Sequence, residues 1–259
     1  MTHNDQLSTN LNMFPVDIPN RAILSAAIEG RSKSRLVADT TQTDPKSSGA
    51  ALVHCHNGTV FVGHGVSQSF LESTLLNLRR EQRIVLAMTR HQESEYDWGR
   101  LGDLLIVERY EYTNLDFDVV SRLLDQLPAN RTIVRIDRDL FRQCTWHEEM
   151  RGWLGNEEYF LYNAAGVCQM DGESIVTEAY AISSENAGTE IGGITHQPYR
   201  RAGNAAVTFA YLIADYLRGF TPIFWSCNQD NLASANTAKR IGFRDRREYR
   251  FIIMQEADK

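Results

Sequence analysis

The stretch Gly188–Phe243, GTEIGGITHQPYRRAGNAAVTFAYLIADYLRGFTPIFWSCNQDNLASANTAKRIGF, constrains this fold more than any other part of the chain. Thr189–Thr195 and Ile223–Cys227 read as buried strands. Between them lies a basic glycine turn, Arg200-x-x-Gly203-x-Ala205, followed by a predicted helix from Asn204 to Arg218. That helix carries Ala205, Ala206, Val207, Phe209, Ala210, Leu212, Ile213 and Leu217, so it is apolar nearly all round and belongs in the interior. Asn231-x-x-Ser234-x-x-x-Ala238 opens a last short helix, stopped by Gly242-Phe243. A glycine turn that leads straight into a helix is a phosphate cradle. Glycine lets the backbone approach a ligand, the first helical N–H groups have no partner, and the helix dipole favours an anion.

Composition narrows the partners. At 259 residues the chain can bury one large core or two smaller ones. Its formal charge of −6 argues against nucleic acid as a partner. No apolar run approaches the ~20 residues of a membrane span. The polar start MTHNDQLSTNLN lacks a signal pattern, so a cytoplasmic location is expected. Cys55, Cys144, Cys168 and Cys227 are scattered, which suits reduced structural thiols, and no metal is expected. His54-Cys55-His56 alternates across a strand and has no third ligand nearby, so it reads as structural.

The first half has α/β texture. Asn20 caps a predicted helix over 21–29, and residues 40–49 read as a surface loop. Ala51–His56 and Thr59–Gly63 flank Asn57-Gly58, a hairpin signal. A helix is predicted over 67–80, strands over 83–88, 104–107 and 132–136, a loop over 89–100, and a helix from Asn114 or Asp116 to Leu127. Leu140–Trp153 looks helical, and Tyr159–Tyr162, Gly166–Met170 and Ser174–Ile182 look like an antiparallel meander. A soft boundary near 137/138 divides an N-terminal α/β extension from a C-terminal domain of 138–259.

With its turn and second helix at this spacing, residues 140–254 resemble the GCN5-related N-acetyltransferase (GNAT) superfamily, which uses acetyl-CoA. The wording E-I-G-x-x-T, Y-R-x-x-G-x-A and N-x-x-S-x-x-x-A-x-x-x-G-F is similar to a bacterial subgroup with a long N-terminal α/β extension. That subgroup includes antibiotic-inactivating enzymes. The resemblance implies an α/β fold with a mixed, largely antiparallel central sheet and flanking helices. It implies acetyl-CoA as co-substrate, with the backbone of Gly193, Ile194 and Thr195 receiving the pantetheine arm as an added strand. Arg200, Arg201, Ala202, Gly203, Asn204, Ala205 and Ala206 would form the pyrophosphate cradle. Asn231 and Ser234 would contact the cofactor or cap their helix, and both roles can hold at once.

Transfer to an amine needs an unprotonated nucleophile. Glu190, on the cofactor strand, is the candidate base, provided strand parity turns it into the cleft; the alternative is a structural or substrate-holding role. Glu148 and Glu149 are candidate binders of a cationic acceptor or members of a solvated helix face. His196 could touch phosphate or acceptor. Trp146, Trp153, Tyr159 and Tyr162 would line an acceptor wall or fill core, and core is favoured. Many superfamily members carry an acidic tyrosine seven residues after the asparagine, but Ala238 stands there. The acceptor implied is a small cationic amine of aminoglycoside type, with a kasugamycin-like molecule in scope. The rivals are a protein N-terminus, an amino-acid-like metabolite, or an acyl-CoA-binding module without turnover. A homodimer is compatible with all of these.

Overall fold

The computed structural model describes residues 11–39, 51–217, 219 and 221–256. The expected loop at 40–49 and Arg218, the last residue of the helix read from Asn204, lie outside those described residues; the helix itself ends at Tyr216. Apolar alternation and turn chemistry build a sheet from β1 (Ser34–Ala38), β2 (Ala51–Cys55), β3 (Thr59–Val62), β4 (Ile84–Ala87), β5 (Leu104–Leu115), β6 (Thr132–Arg135), β7 (Ala164–Asp171), β8 (Ser174–Ser184), β9 (Gly188–Thr195), β10 (Ile223–Asn228) and β11 (Phe243–Met254). The eleven strands run in the order β1-β2-β3-β4-β11-β5-β10-β9-β8-β7-β6. Among the described residues only β3–β4 and β9–β10 pair in parallel; the other pairs are antiparallel, as expected of a mixed, largely antiparallel sheet.

Nine helices among the described residues cover the two faces: α1 (Arg21–Ile28), α2 (Gln68–Leu78), α3 (Arg90–Ser94), α4 (Phe117–Leu124), α5 (Arg138–Gln143), α6 (His147–Leu154), α7 (Glu157–Asn163), α8 (Asn204–Tyr216) and α9 (Leu232–Ile241). On one face α8 is central. Its Phe209, Leu212 and Ile213 are buried with Ile191, Trp225, Val120 and Leu123. The Phe209 and Trp225 rings meet edge to face at 4.7 Å. Each such side chain contributes about 1.5–3 kcal/mol on burial. On the other face Ala26 of α1 joins Phe141, Met150, Leu154 and Phe160 of α5–α7 against Cys168, Tyr180 and Ile182.

Four expectations need correction. The helix read over 140–153 is two helices, α5 and α6, because Asp137 caps the first and Glu178 accepts the backbone N–H groups of Thr145 and Trp146 at the break. Tyr159–Tyr162 is helical, since Asn156 caps α7 and Glu157 and Glu158 sit in its first turn. The loop read at 89–100 contains α3, opened by a Thr89/Gln92 capping box. The strand read over 104–107 runs on to Leu115.

That last correction shapes the molecule. β5, from the first half of the chain, lies between β10 and β11 of the second half. β11 also pairs with β4, so one sheet crosses the expected boundary at 137/138 without interruption. No described helix is long and apolar enough to cross a membrane.

Candidate active site

The parallel register of β9 and β10 stops at Trp225 opposite Ile191. Beyond it the strands part, and a cleft of about 930 Å3 opens between Gly193–Thr195 and Ser226–Asn228. Unpaired strand edges carry free N–H and C=O groups, so this gap can accept an extended ligand.

The glycine turn lies at the cleft's outer end. Gly203 has φ +84° and cannot cap α8 with a side chain, which leaves the first amides of the helix for a ligand. Arg201 adopts φ +66°, an unusual conformation for a side chain with a Cβ, and it turns the backbone over the cradle. Internal bonds hold the loop: Arg200 Nε donates to the Thr195 carbonyl at 2.9 Å, and Asn204 Nδ2 to that of Tyr199 at 2.8 Å. A Cβ built on Gly203 would stand 2.6 Å from Arg240 Nη2, so the guanidinium packs against the glycine and lines the cleft. Arg240 stands in the last turn of α9, where a basic side chain also complements the helix dipole. A Cβ on Gly193 would come 2.1 Å from the Glu178 carbonyl oxygen, so only glycine lets β9 lie this close to β8.

Gly193, Ile194, Thr195, Arg200, Arg201, Gly203, Asn204, Ala205, Ala206, Asn231 and Ser234 all line the cleft. Ala202 is exposed and is not part of the lining. Asn231 does cap α9, its Oδ1 accepting from Ser234 N at 3.0 Å. Ser234 Oγ accepts from Trp225 Nε1 at 3.0 Å. Ala238 is fully buried in the core beneath. Cys227 lines the cleft, and burial pushes its thiol up.

A smaller cavity of about 140 Å3 lies against the first and shares Arg109, Trp146, Glu149 and Ser226 with it. Glu190 lines it. β9 runs in regular register with β8, so parity alone sets the direction of this side chain. It shares a sheet face with Ser226, because Phe224 lies opposite Glu190 and side chains two apart in a strand point the same way. Glu190 is 9% exposed, and its Oε2 has no hydrogen-bond partner among the described residues. Burial first, then the Glu111 carboxylate, push its carboxyl up to about 8; Ser226, Asn20 and the Arg109 charge offset part of this.

A polar network on the same face was not legible in the sequence. Glu111 of β5 accepts from Asn20 N at 2.9 Å and pairs with Arg247 of β11. Asn20 has φ 54° and makes no side-chain cap on α1, contrary to expectation. Its Nδ2 donates to Ser226 Oγ at 3.2 Å instead. Arg109 of β5 donates from Nε to Tyr249 Oη at 2.8 Å and from Nη1 to Asn228 Oδ1.

The remaining candidates separate. Glu149 lines both cavities and accepts from Trp153 Nε1 at 3.0 Å. Glu148 is exposed, pairs with Arg151 and His147, and lines neither. His196 also lines neither; its Nε2 lies 2.6 Å from Oε1 of the fully buried Glu178. Trp146 lines both cavities and Trp153 the smaller. Tyr159 and Tyr162 are neither wall nor core, being 37% and 84% exposed.

Known proteins agree with this architecture. The family model for GNAT acetyltransferase matches residues 17–252, on both sides of the boundary read from the sequence. A GCN5-related N-acetyltransferase-like protein from Streptococcus suis is 24% identical with a TM-score of 0.71, over 97% of this chain and 99% of its own. A putative GNAT-family acetyltransferase from Novosphingobium aromaticivorans is 14% identical with a TM-score of 0.56, over 80% and 89%. A tandem GNAT protein of clavulanic acid biosynthesis is 12% identical with a TM-score of 0.53, over 100% and 97%. At these identities the structures show a shared fold. No curated protein is significantly similar in sequence. The family model spans most of the chain, including the glycine turn, the parted strands and the carboxylate-lined cavity, and on that ground the protein belongs to the GNAT acetyltransferase family and is an N-acetyltransferase.

Proposed function

We propose that the protein moves an acetyl group from acetyl-CoA to a primary amine of a small cationic acceptor, with Glu190 as the base. One observation carries this reading: a buried carboxyl with a free oxygen lines a small cavity that adjoins the cofactor-sized cleft. The cleft's cradle fits a coenzyme A pyrophosphate, since a Cβ at Gly203 would strike Arg240 and the first amides of α8 lack a side-chain cap. When bound, acetyl-CoA supplies an activated thioester. The pantetheine arm fits along Gly193–Thr195, with Arg200, Arg201 and Arg240 toward the phosphates.

A primary amine is mostly protonated near pH 7. Glu149 attracts it as a cation, while Trp146, Trp153 and Tyr180 enclose its apolar part. The ammonium charge pulls the Glu190 carboxyl back toward its ionised form, its own proton passing to solvent, and the carboxylate then takes the ammonium proton and frees the nitrogen lone pair. The new C–N bond forms as the C–S bond breaks, and the thiol's ordinary pKa of ~8.5 lets sulfur leave as thiolate without the tyrosine that Ala238 replaces. An aminoglycoside-type amine is the acceptor class to test first. About 140 Å3 admits only its amine-bearing end, and the remainder would lie in the larger cleft.

The test is release of free thiol from acetyl-CoA across an amine panel. We expect kcat/KM of the wild type to climb as pH rises through about 8. Glu190→Gln should lower kcat by roughly 10²–10⁴-fold and erase that limb while acetyl-CoA affinity holds. A variant with an unchanged rate and pH profile would remove Glu190 as base.

A further inference from the structure

Arg109 is the cationic side chain shared by the two cavities on the face that holds Glu190. Its surroundings are unusual for an arginine partly removed from water. Nε and Nη1 are engaged by Tyr249 Oη and Asn228 Oδ1, which fix the plane of the guanidinium. The Phe251 ring lies 4.8 Å from Cζ and the Tyr249 ring 5.7 Å. Yet Nη2 has no acceptor, and no carboxylate forms an ion pair with Arg109, among the described residues. The four arginines at nearby positions on the same sheet behave differently. Arg244, Arg246, Arg247 and Arg250 of β11 each pair with an acidic side chain. A guanidinium offers five donors in a planar fork, so with Nε and Nη1 held by neutral partners the N–H groups of Nη2 are left for an anion.

We propose that Arg109 binds an anionic group, a carboxylate, on the acceptor, so that the preferred acceptor carries both an amine and a carboxylate. This rests on the acetyl-transfer reading above and narrows its substrate class. Glu149 and Glu190 face the amine end of such a molecule and Arg109 the acid end, within one pair of adjoining cavities. The fixed plane of the fork explains why two neutral hydrogen-bonding partners, rather than a carboxylate, hold Arg109. An internal carboxylate would occupy the site intended for the ligand and would compete with it. The amino-acid-like metabolite weighed from the sequence falls within this class, as does an aminated sugar bearing an acid group.

Matched pairs test it: ω-amino acids of graded chain length and their carboxamides, which keep the amine and lose the charge. Thiol release from acetyl-CoA is measured for each with wild type, Arg109→Gln and Arg109→Lys, and acetyl-CoA binding by calorimetry reports that each variant is folded. In the wild type the acid should exceed its amide in kcat/KM by roughly tenfold to a hundredfold at the best chain length, the value of one charged hydrogen-bonded contact. Arg109→Gln should collapse that ratio to near one, and Arg109→Lys should restore part of it. Equal rates for acid and amide in the wild type, or a ratio that survives Arg109→Gln, would overturn the assignment while leaving acetyl transfer intact. An equal fall in kcat for acid and amide would also overturn it, and would put Arg109 on the acetyl group instead. Silence from every amine would instead bring down the acetyl-transfer reading itself.

Discussion

Glu190 ties the stability of the fold to a single proton. Burial and the Glu111 carboxylate raise its folded-state value to about 8, whereas an unfolded chain leaves it near the ordinary 4.5. Between those values the native state holds a proton that the unfolded state has released. Unfolding then sheds a proton, so stability falls as pH rises from about 4.5 to about 8 and levels off above. Glu190→Gln keeps the shape and removes the titration. The variant should therefore gain on the wild type over that window, by on the order of a few kcal/mol at its upper end. Denaturant unfolding of both proteins at pH 5 and pH 8 reads this directly. A stability difference independent of pH would show that Glu190 is ionised in the native state. The same residue was legible as a candidate because it sits on the strand that leads into the glycine turn, and its direction followed once β9 proved to have no bulge. Its neighbours were not legible. Asn20, Ser226 and Tyr249 are ordinary polar residues until the sheet brings them to one face.

Among the elements, apolar periodicity and punctuation identified what local physics decides: the hairpin at Asn57-Gly58, the buried α8, and β7–β10 around the glycine turn. What failed was decided at long range. Glu108-Arg-Tyr-Glu-Tyr-Thr-Asn114 does not look like a central strand, because its buried charge is satisfied by a partner far along the chain. Glu111 is 1% exposed, and its partner Arg247 lies 136 residues away. The break between α5 and α6 has the same origin. Glu178 on β8 accepts from Thr145 N at 2.7 Å, Trp146 N at 3.0 Å and His196 Nε2 at 2.6 Å, and so sets where α6 begins and where Trp146 stands. Glu178→Ala should strand those donors and cost about 2–4 kcal/mol. For a chain of this size that lowers the melting temperature by roughly 5–15 °C. Thermal unfolding measures it, with Glu178→Gln, which keeps an acceptor oxygen, recovering part of the loss. An unchanged melting temperature would mean that α6 is held by packing alone.

For the whole molecule, the placement of β5 decides how the halves depend on each other. The elements that line the larger cleft, β9, β10 and α8, all follow residue 138, which makes the second half look self-sufficient in sequence. In the sheet, however, β10 and β11 are separated by β5, which pairs with Phe243–Met254 on one side and with Trp225–Asn228 on the other. A fragment of 138–259 would expose both strand edges along their length, together with Trp225, Cys227 and Phe243, which now pack in a core shared with Tyr112. It would also lose Arg109, Glu111 and Asn20 from the site. The β10 edge it uncovers, Ile-Phe-Trp-Ser-Cys-Asn, carries no charge to block pairing between copies, so aggregation is the expected fate. Residues 138–259 expressed alone should therefore be insoluble or lack a cooperative thermal transition. Co-expression with 1–137 should restore a soluble complex, and the intact chain should melt in a single transition. A monomeric, cooperatively folded 138–259 fragment that binds acetyl-CoA would show instead that β5 is an accessory to a domain complete without it.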